Sequence, residues 1–251
     1  MKYEIITLFP DYFRRSLRQS LLGKALDKGL FEIEMVNLRD FATDKHRAVD
    51  DTPYGGGGGM VMMIEPLDRC LRSLGWKPRT ESGAARVDSV LIVTSAAGKR
   101  FDQETAVRYS LCRNVTIVCG HYLGIDERLG ELYDVEEVSI GDYVLTGGEP
   151  AAAVIVDATA RLIPKVVGNF ESALGDSYMN QMLGSPSFTR PPEYAGLKVP
   201  EVLQSGNHAE IRSYRRREAI VRCYANRPDL LEKADLSQEE TELLETLRKS
   251  K

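Results

Sequence analysis

The apolar positions of this chain gather into short continuous runs rather than long periodic stripes. Residues 3–9 (YEIITLF), 90–95 (VLIVTS) and 114–119 (NVTIVC) are runs of strand length, rich in β-branched residues, and predict buried strands. A fourth run, 138–145, is interrupted by Gly141 and closed by Gly147-Gly148. Residues 31–38 (FEIEMVNL) alternate in the manner of a strand. Between these runs the period changes. Phe13, Leu17, Leu21 and Leu22 keep helical spacing, with Gly23 and Gly29 as stops. Residues 66–74 open on a proline suited to a first helical turn and end at Gly75. Residues 102–111 and the apolar 150–163 also read as helices, the latter with Asp157 and Arg161 four apart. Strands alternating with helices predict an α/β fold with a mostly parallel sheet.

Three of the strand runs end in bare backbone: at Ala96-Ala97-Gly98, at Gly120, and at Gly147-Gly148. In open α/β sheets ligands bind outside the carboxyl ends of strands, and glycine lets the backbone approach them closely. A small-molecule site built from these loops is the central inference. Any one loop is explained by a tight turn alone; for the three together the two readings weigh evenly. The first strand is followed by Phe9-Pro10-Asp11, without a glycine fingerprint, which argues against a dinucleotide fold.

Residues 41–63 contain five consecutive glycines, Gly55 to Gly59, preceded by His46, Arg47, Asp50, Asp51 and Tyr54. No Gly-Lys-Ser/Thr follows, so the Walker pattern fails. The glycines alone read as a surface loop; the polar cluster beside them turns that loop toward a substrate. Residues 164–192 lose all period, carry Asp176 and Ser177, and mark a boundary between two domains. Beyond it, residues 209–225 predict a helix bearing Arg212, Arg215, Arg216, Arg217 and Arg222 with Tyr214 and Tyr224 interleaved. Such a face suits phosphate contact as well as it suits plain solvent exposure. Ser237 and Glu240 form a capping box opening a final amphipathic helix.

Charge modifies this picture. The formal net charge is −4, so any nucleic-acid contact is local, on the arginine helix. The four cysteines are scattered, which supports neither a zinc site nor a disulfide framework and fits a reducing cytoplasm. The N-terminus is too short and too charged for a signal peptide, and no stretch is apolar enough to span a bilayer, so a soluble cytoplasmic protein without a membrane partner is expected.

ITLFPDYF, DKHRAVDDTPYGGGGGM, CGHYLGIDER, SIGDYVLTGGE and SGNHAEIRSYRR, in that order along the whole chain, resemble the bacterial tRNA (guanine-N1)-methyltransferase family. That resemblance implies the SPOUT superfamily, with a trefoil knot in the second half of the sheet and a small α-helical C-terminal domain. It implies residues 1–163 as the methyltransferase domain, 164–180 as a flexible linker and 181–251 as a tRNA-binding domain. It further implies a homodimer with its active site between subunits, and S-adenosylmethionine as methyl donor to guanosine 37 of tRNA. Donor contacts carry over to Gly120, Tyr122 and Gly124 on one loop. They carry over to Ser139, Ile140, Gly141, Asp142, Tyr143, Val144, Leu145, Gly147 and Gly148 on a second, and to Thr94, Ser95 and Gly98 on a third. Asp176 matches the family's general base and Arg161 its activating arginine. His46, Arg47, Asp50, Tyr54, Ser177, Arg212 and Arg215 fall where the family meets tRNA. A magnesium requirement also comes by resemblance, although the residues show no clear ligand set.

The chain departs from the pattern in two places. Leu123 stands where the family usually carries a glutamate, and Pro150 follows Glu149 directly. A second function class, an RNA-binding module whose donor site has decayed, takes Leu123 as its first sign. A third, an enzyme of the same fold acting on another RNA, is opposed by the C-terminal motif.

Overall fold

The computed structural model describes residues 1–81, 86–168 and 176–249, in two compact units, Met1–Gly168 and Asn169–Lys251. The first unit is built on β1 (Lys2–Thr7), β2 (Glu32–Asn37), the short β3 (Asp50–Asp51) and β4 (Val61–Met62), then β5 (Ser89–Arg100), β6 (Asn114–Cys119) and β7 (Glu136–Ser139). Five of these form one sheet, ordered β2-β1-β6-β5-β7, and every pairing in it is parallel. β3 and β4 pair antiparallel on their own.

Parallel strands need covering on both faces. One face buries Tyr3, Ile5, Ile92 and Ile117 under the helices α1 (Asp11–Ser16), α2 (Ser20–Asp27), α4 (Gln103–Ser110) and α6 (Glu149–Ala160). The other buries Ile6, Leu91, Val93 and Val118 under α3 (Ile64–Ser73) and α5 (Arg128–Leu132). α3 ends as its sequence predicts. Gly75 takes φ +84°, and the N–H of Trp76 returns to the Leu71 carbonyl at 2.9 Å.

Three expectations change. The helix expected over Phe13 to Leu22 is two helices, and Gly23 lies inside the second rather than stopping it. A Cβ at Gly23 would strike the Arg18 carbonyl, so the bare position is used for close packing. The run 138–145 is strand only to Ser139; Gly141 turns the chain out at φ +153° and Tyr143, Val144 and Leu145 are exposed. β5 continues past its expected end at Ser95. Thr94 and Lys99 both lie opposite Val138, so the residues between them bulge out before pairing resumes.

A buried ion pair ties the loop before β5 to the sheet. Glu4 on β1 is 2 % exposed and accepts from Arg86 at 2.6 and 2.9 Å and from the Thr116 hydroxyl at 2.7 Å. The Trp76 indole N–H donates to the same hydroxyl. Burial pushes the Glu4 carboxyl up, but the bonds from Arg86 and Thr116 and the charges of Arg86 and Lys2 outweigh it, so the group lies below the usual glutamate range. Arg86→Met would leave a buried carboxylate without its cation, an expected loss of about 3–5 kcal/mol at neutral pH. A depressed carboxylate contributes stability above its unfolded value and loses it as the pH falls through its folded one. In urea denaturation the gap between wild type and Arg86→Met therefore narrows as the pH is lowered from 7 through the carboxylate range. A gap that stays constant would mean that the pairing with Glu4 is not its source.

The second unit carries a hairpin, β8 (Glu193–Tyr194) and β9 (Leu197–Lys198), and the helices α7 (His208–Asn226), α8 (Pro228–Leu231) and α9 (Gln238–Lys249). Met182, Ala219, Ile220, Cys223, Leu231 and Leu244 form its core. Asn207 caps α7 through the Ala209 N–H, and the capping box at α9 is present, with Ser237 N–H to Glu240 at 2.9 Å and Glu240 N–H to Ser237 Oγ at 3.3 Å.

Candidate functional site

The carboxyl ends of β5, β6 and β7 lie side by side, and the loops leaving them meet. Thr94 at the end of its paired run accepts the Gly120 N–H on its hydroxyl at 3.1 Å. The Gly148 N–H donates to the Gly120 carbonyl at 2.7 Å, and His121 bridges Gly147. These approaches require bare Cα atoms. A Cβ at Gly148 would collide with the Thr94 hydroxyl and the Gly120 nitrogen, and one at Gly120 with the Thr94 carbonyl. At Gly98 it would strike the backbone of Glu137 and Val138. The three loops expected to form one site are thus locked together by their glycines.

Together they floor a cleft of about 1350 Å³. Thr94, Ser95, Gly120, Tyr122, Gly124, Ser139, Ile140, Gly141, Tyr143, Val144, Leu145, Gly147 and Gly148 all line it. Gly98 and Asp142 do not: Gly98 packs beneath, and Asp142 turns outward to Arg100 at 2.8 Å. Ser139 shapes the exit of β7, its hydroxyl accepting the Gly141 N–H and donating to the Gly141 carbonyl. Tyr122 holds φ +61°, a conformation that costs energy outside glycine and turns its ring to the cleft wall. Burial, then the neighbouring Asp50 carboxylate, raises its hydroxyl above the usual tyrosine value, so it stays protonated.

The polyglycine loop reaches the same place. The Leu123 N–H donates to the Met60 carbonyl, the Met62 N–H to Gly124, and the Asp126 N–H to Met62. Gly59 lies against the Leu123 side chain, and Tyr54 stands fully exposed at the cleft rim. His46 and Arg47 are exposed elsewhere on the loop, where Arg47 pairs with Asp40 at 3.2 Å. Asp50 sits on β3 rather than in the cleft wall. Leu123 keeps its backbone role in the loop, so its departure from the common pattern changes charge and not architecture.

A buried polar layer lies under the cleft. Glu149, only 4 % exposed at the start of α6, accepts the Thr7 hydroxyl at 2.7 Å. Its other oxygen and the His121 ring flank Gly147. Cys119 lies beneath, fully buried; burial and then Glu149 push its thiol well up, so it is a neutral packing group and no nucleophile. The sequence did hold a hint, since Glu149 ends the glycine motif, but nothing in it points to Thr7.

Arg161 is the half-buried C-cap of α6. In the second unit Asp176 opens a compact turn in which its carbonyl accepts the Met179 N–H and Ser177 Oγ accepts the Gly184 N–H at 2.9 Å. The turn is seated on α7 through the Leu183 N–H to the Cys223 sulfur and Arg222 to the Gly184 carbonyl. Arg216 is committed to Glu240 at 2.7 Å, whereas Arg212, Arg215 and Arg217 are exposed. Among the described residues there is no cluster of three or more His, Cys, Asp or Glu side chains fit to hold a metal, and no helix long and apolar enough to cross a membrane.

Residues 1–233 match the sequence model of the family described as tRNA (Guanine-1)-methyltransferase TrmD. A tRNA (guanine-N(1)-)-methyltransferase of Geotalea uraniireducens is 47 % identical over 249 residues, covering 99 % of this chain and 98 % of the relative. That of Dictyoglomus turgidum is 47 % identical, with 99 % and 97 % covered. That of Limosilactobacillus fermentum is 45 % identical over 248 residues, with 99 % and 96 % covered. Agreement of this extent, over a chain whose motif residues converge on one glycine-locked cleft, leaves one assignment: the protein belongs to the tRNA (guanine-1)-methyltransferase family.

Proposed function

We propose that the protein methylates N1 of guanosine 37, beside the anticodon of tRNA, with S-adenosylmethionine as donor. The observation that carries this reading is the cleft at three parallel strand ends, lined by glycines whose bare Cα atoms let the three loops close on one another. Such a cleft fits an adenosyl group: a flat base is recognised by backbone groups where side chains would obstruct it. Gly120, Tyr122, Gly124, the 139–145 segment and Gly147-Gly148 would hold the donor, with Thr94 and Ser95 at its edge. When bound, S-adenosylmethionine supplies an electrophilic methyl group.

The remaining chemistry belongs to the chain. Guanine N1 carries a proton and is a weak nucleophile while it does. Asp176 removes that proton as general base. Negative charge then builds toward O6, where the Arg161 guanidinium stabilises it. Ser177, His46, Arg47, Asp50 and Tyr54 position the RNA around the base, and Arg212 and Arg215 hold its phosphates. The reading includes a trefoil knot in the sheet, a homodimer, a helical tRNA-binding unit at the C-terminus and a cytoplasmic setting, as in the family.

Methyl transfer from labelled donor to two transcripts, one with guanosine and one with adenosine at position 37, tests it. Label on the first alone is expected. Label on both would remove the base specificity, and label on neither, with donor binding intact, would move the reaction to another RNA.

A further inference from the structure

The second unit holds a small pocket of about 260 Å³ in which Arg215 alone of the lining residues has an assigned role. Pro186, Ser187, Val199 and Leu203 line it together with Phe188, which is 48 % exposed, and Arg215 of α7. Among the described residues Arg215 makes no ion pair, while Arg216, one position on, is bound to Glu240. His208, Arg212 and Arg215 fall at i, i+4 and i+7 along α7, all exposed, so basic side chains run from the pocket along one stripe of the helix.

We infer that this pocket is a subsite for one unstacked nucleotide of the RNA, with its base on Phe188 and its phosphate on Arg215. The volume admits a single nucleotide and not a duplex. Aromatic rings and arginine planes are what single-stranded bases stack upon, and the stripe along α7 continues the contact onto neighbouring phosphates. Protein–RNA recognition takes hold of unpaired nucleotides because a base inside a helix offers no face. The inference rests on the reading of the protein as a tRNA-binding enzyme, and it adds where an unpaired nucleotide other than the reacting one is held.

The test uses the full-length protein, its Phe188→Leu and Arg215→Gln variants, a tRNA transcript, and a blunt RNA duplex without unpaired nucleotides. Leucine keeps the apolar bulk and removes the ring. Phe188→Leu is expected to weaken tRNA binding about 10-fold or more with an unchanged salt slope, and to leave duplex binding unaltered. Arg215→Gln is expected to lower the salt slope by about one. In 4-thiouridine-substituted tRNA, an unpaired position is expected to cross-link to the peptide containing Phe188. Wild-type tRNA affinity in Phe188→Leu, or an equal loss for tRNA and duplex, would overturn the subsite. So would saturable binding of a nucleoside monophosphate that depends on Phe188 while tRNA binding does not. Binding of tRNA without methyl transfer would remove the proposed reaction and leave the pocket standing.

Discussion

Asp176→Asn is expected to lower methyl transfer to tRNA by about 10²–10⁴-fold while donor affinity stays at the wild-type value. The substitution keeps the size of the side chain and removes its capacity to take a proton. Guanine N1 must lose its proton as it attacks the methyl group, and an amide cannot accept it. The turn is held by the Asp176 carbonyl, by Ser177 Oγ and by the Leu183 N–H on Cys223, none of which the change touches. Single-turnover methyl transfer and calorimetry with the donor separate the two quantities. Turnover within about tenfold of the wild type would take Asp176 out of the role of general base and reduce it to a positioning group.

Gly148→Ala is expected to damage the cleft itself. The added methyl meets the Thr94 hydroxyl, the Gly120 nitrogen and the Cys119 Cα, and the nearest backbone belongs to a strand end that cannot give way. Overpacking of this kind costs about 1–3 kcal/mol. Its functional cost is larger, because displacing the loop by about 1 Å misaligns a reacting group and lowers turnover about 10²-fold. Donor affinity falls with it. Gly23→Ala is the matched control: its methyl also collides with backbone, at the Arg18 carbonyl in the helical layer. That variant is expected to lose thermal stability and retain donor affinity. Equal donor affinity in both would mean that the glycine contact at the three loops does not shape the cleft.

The parts of the fold legible in the sequence are those governed by local composition. Residues 3–7, 90–95 and 114–119 are strands because β-branched runs between turn residues have few other uses: the expected run 3–9 overlaps β1 and overruns its end by two residues, 90–95 lies inside β5, and 114–119 matches β6. The glycine-bearing ends of β5 and β6 foretold the cleft. Where sequence and structure part, a tertiary contact decides. Gly23 looks like a helix stop, yet it is the point where the chain packs on Arg18. Val144 and Leu145 look like strand interior, yet Gly141 has already turned the chain out. The return of β5 to Val138 after its bulge depends on a partner strand far along the chain, which no local period encodes. Thr7 beneath Glu149 is invisible for the same reason: the two meet only when β1 and α6 stack.

The stitching of the Gly120 loop to the polyglycine ribbon has a further consequence. Leu123, Gly124 and Asp126 share backbone hydrogen bonds with Met60 and Met62, Met62 pairs with Asp50 across β3 and β4, and the Asp50 carboxylate stands beside Tyr122. The path closes on itself, so the wall of the cleft and the ribbon bearing Asp50 and Tyr54 cannot settle independently. Gly55, Gly56 and Gly57, all at positive φ with open space around them, form the compliant side of that ring. On the proposed reading, whatever free energy a filled cleft contributes to ordering the ribbon, an RNA held by the ribbon would return in equal measure to the cleft. Reciprocity of this kind makes the order in which two substrates arrive a matter of kinetics alone, with the same ternary state reached by either route.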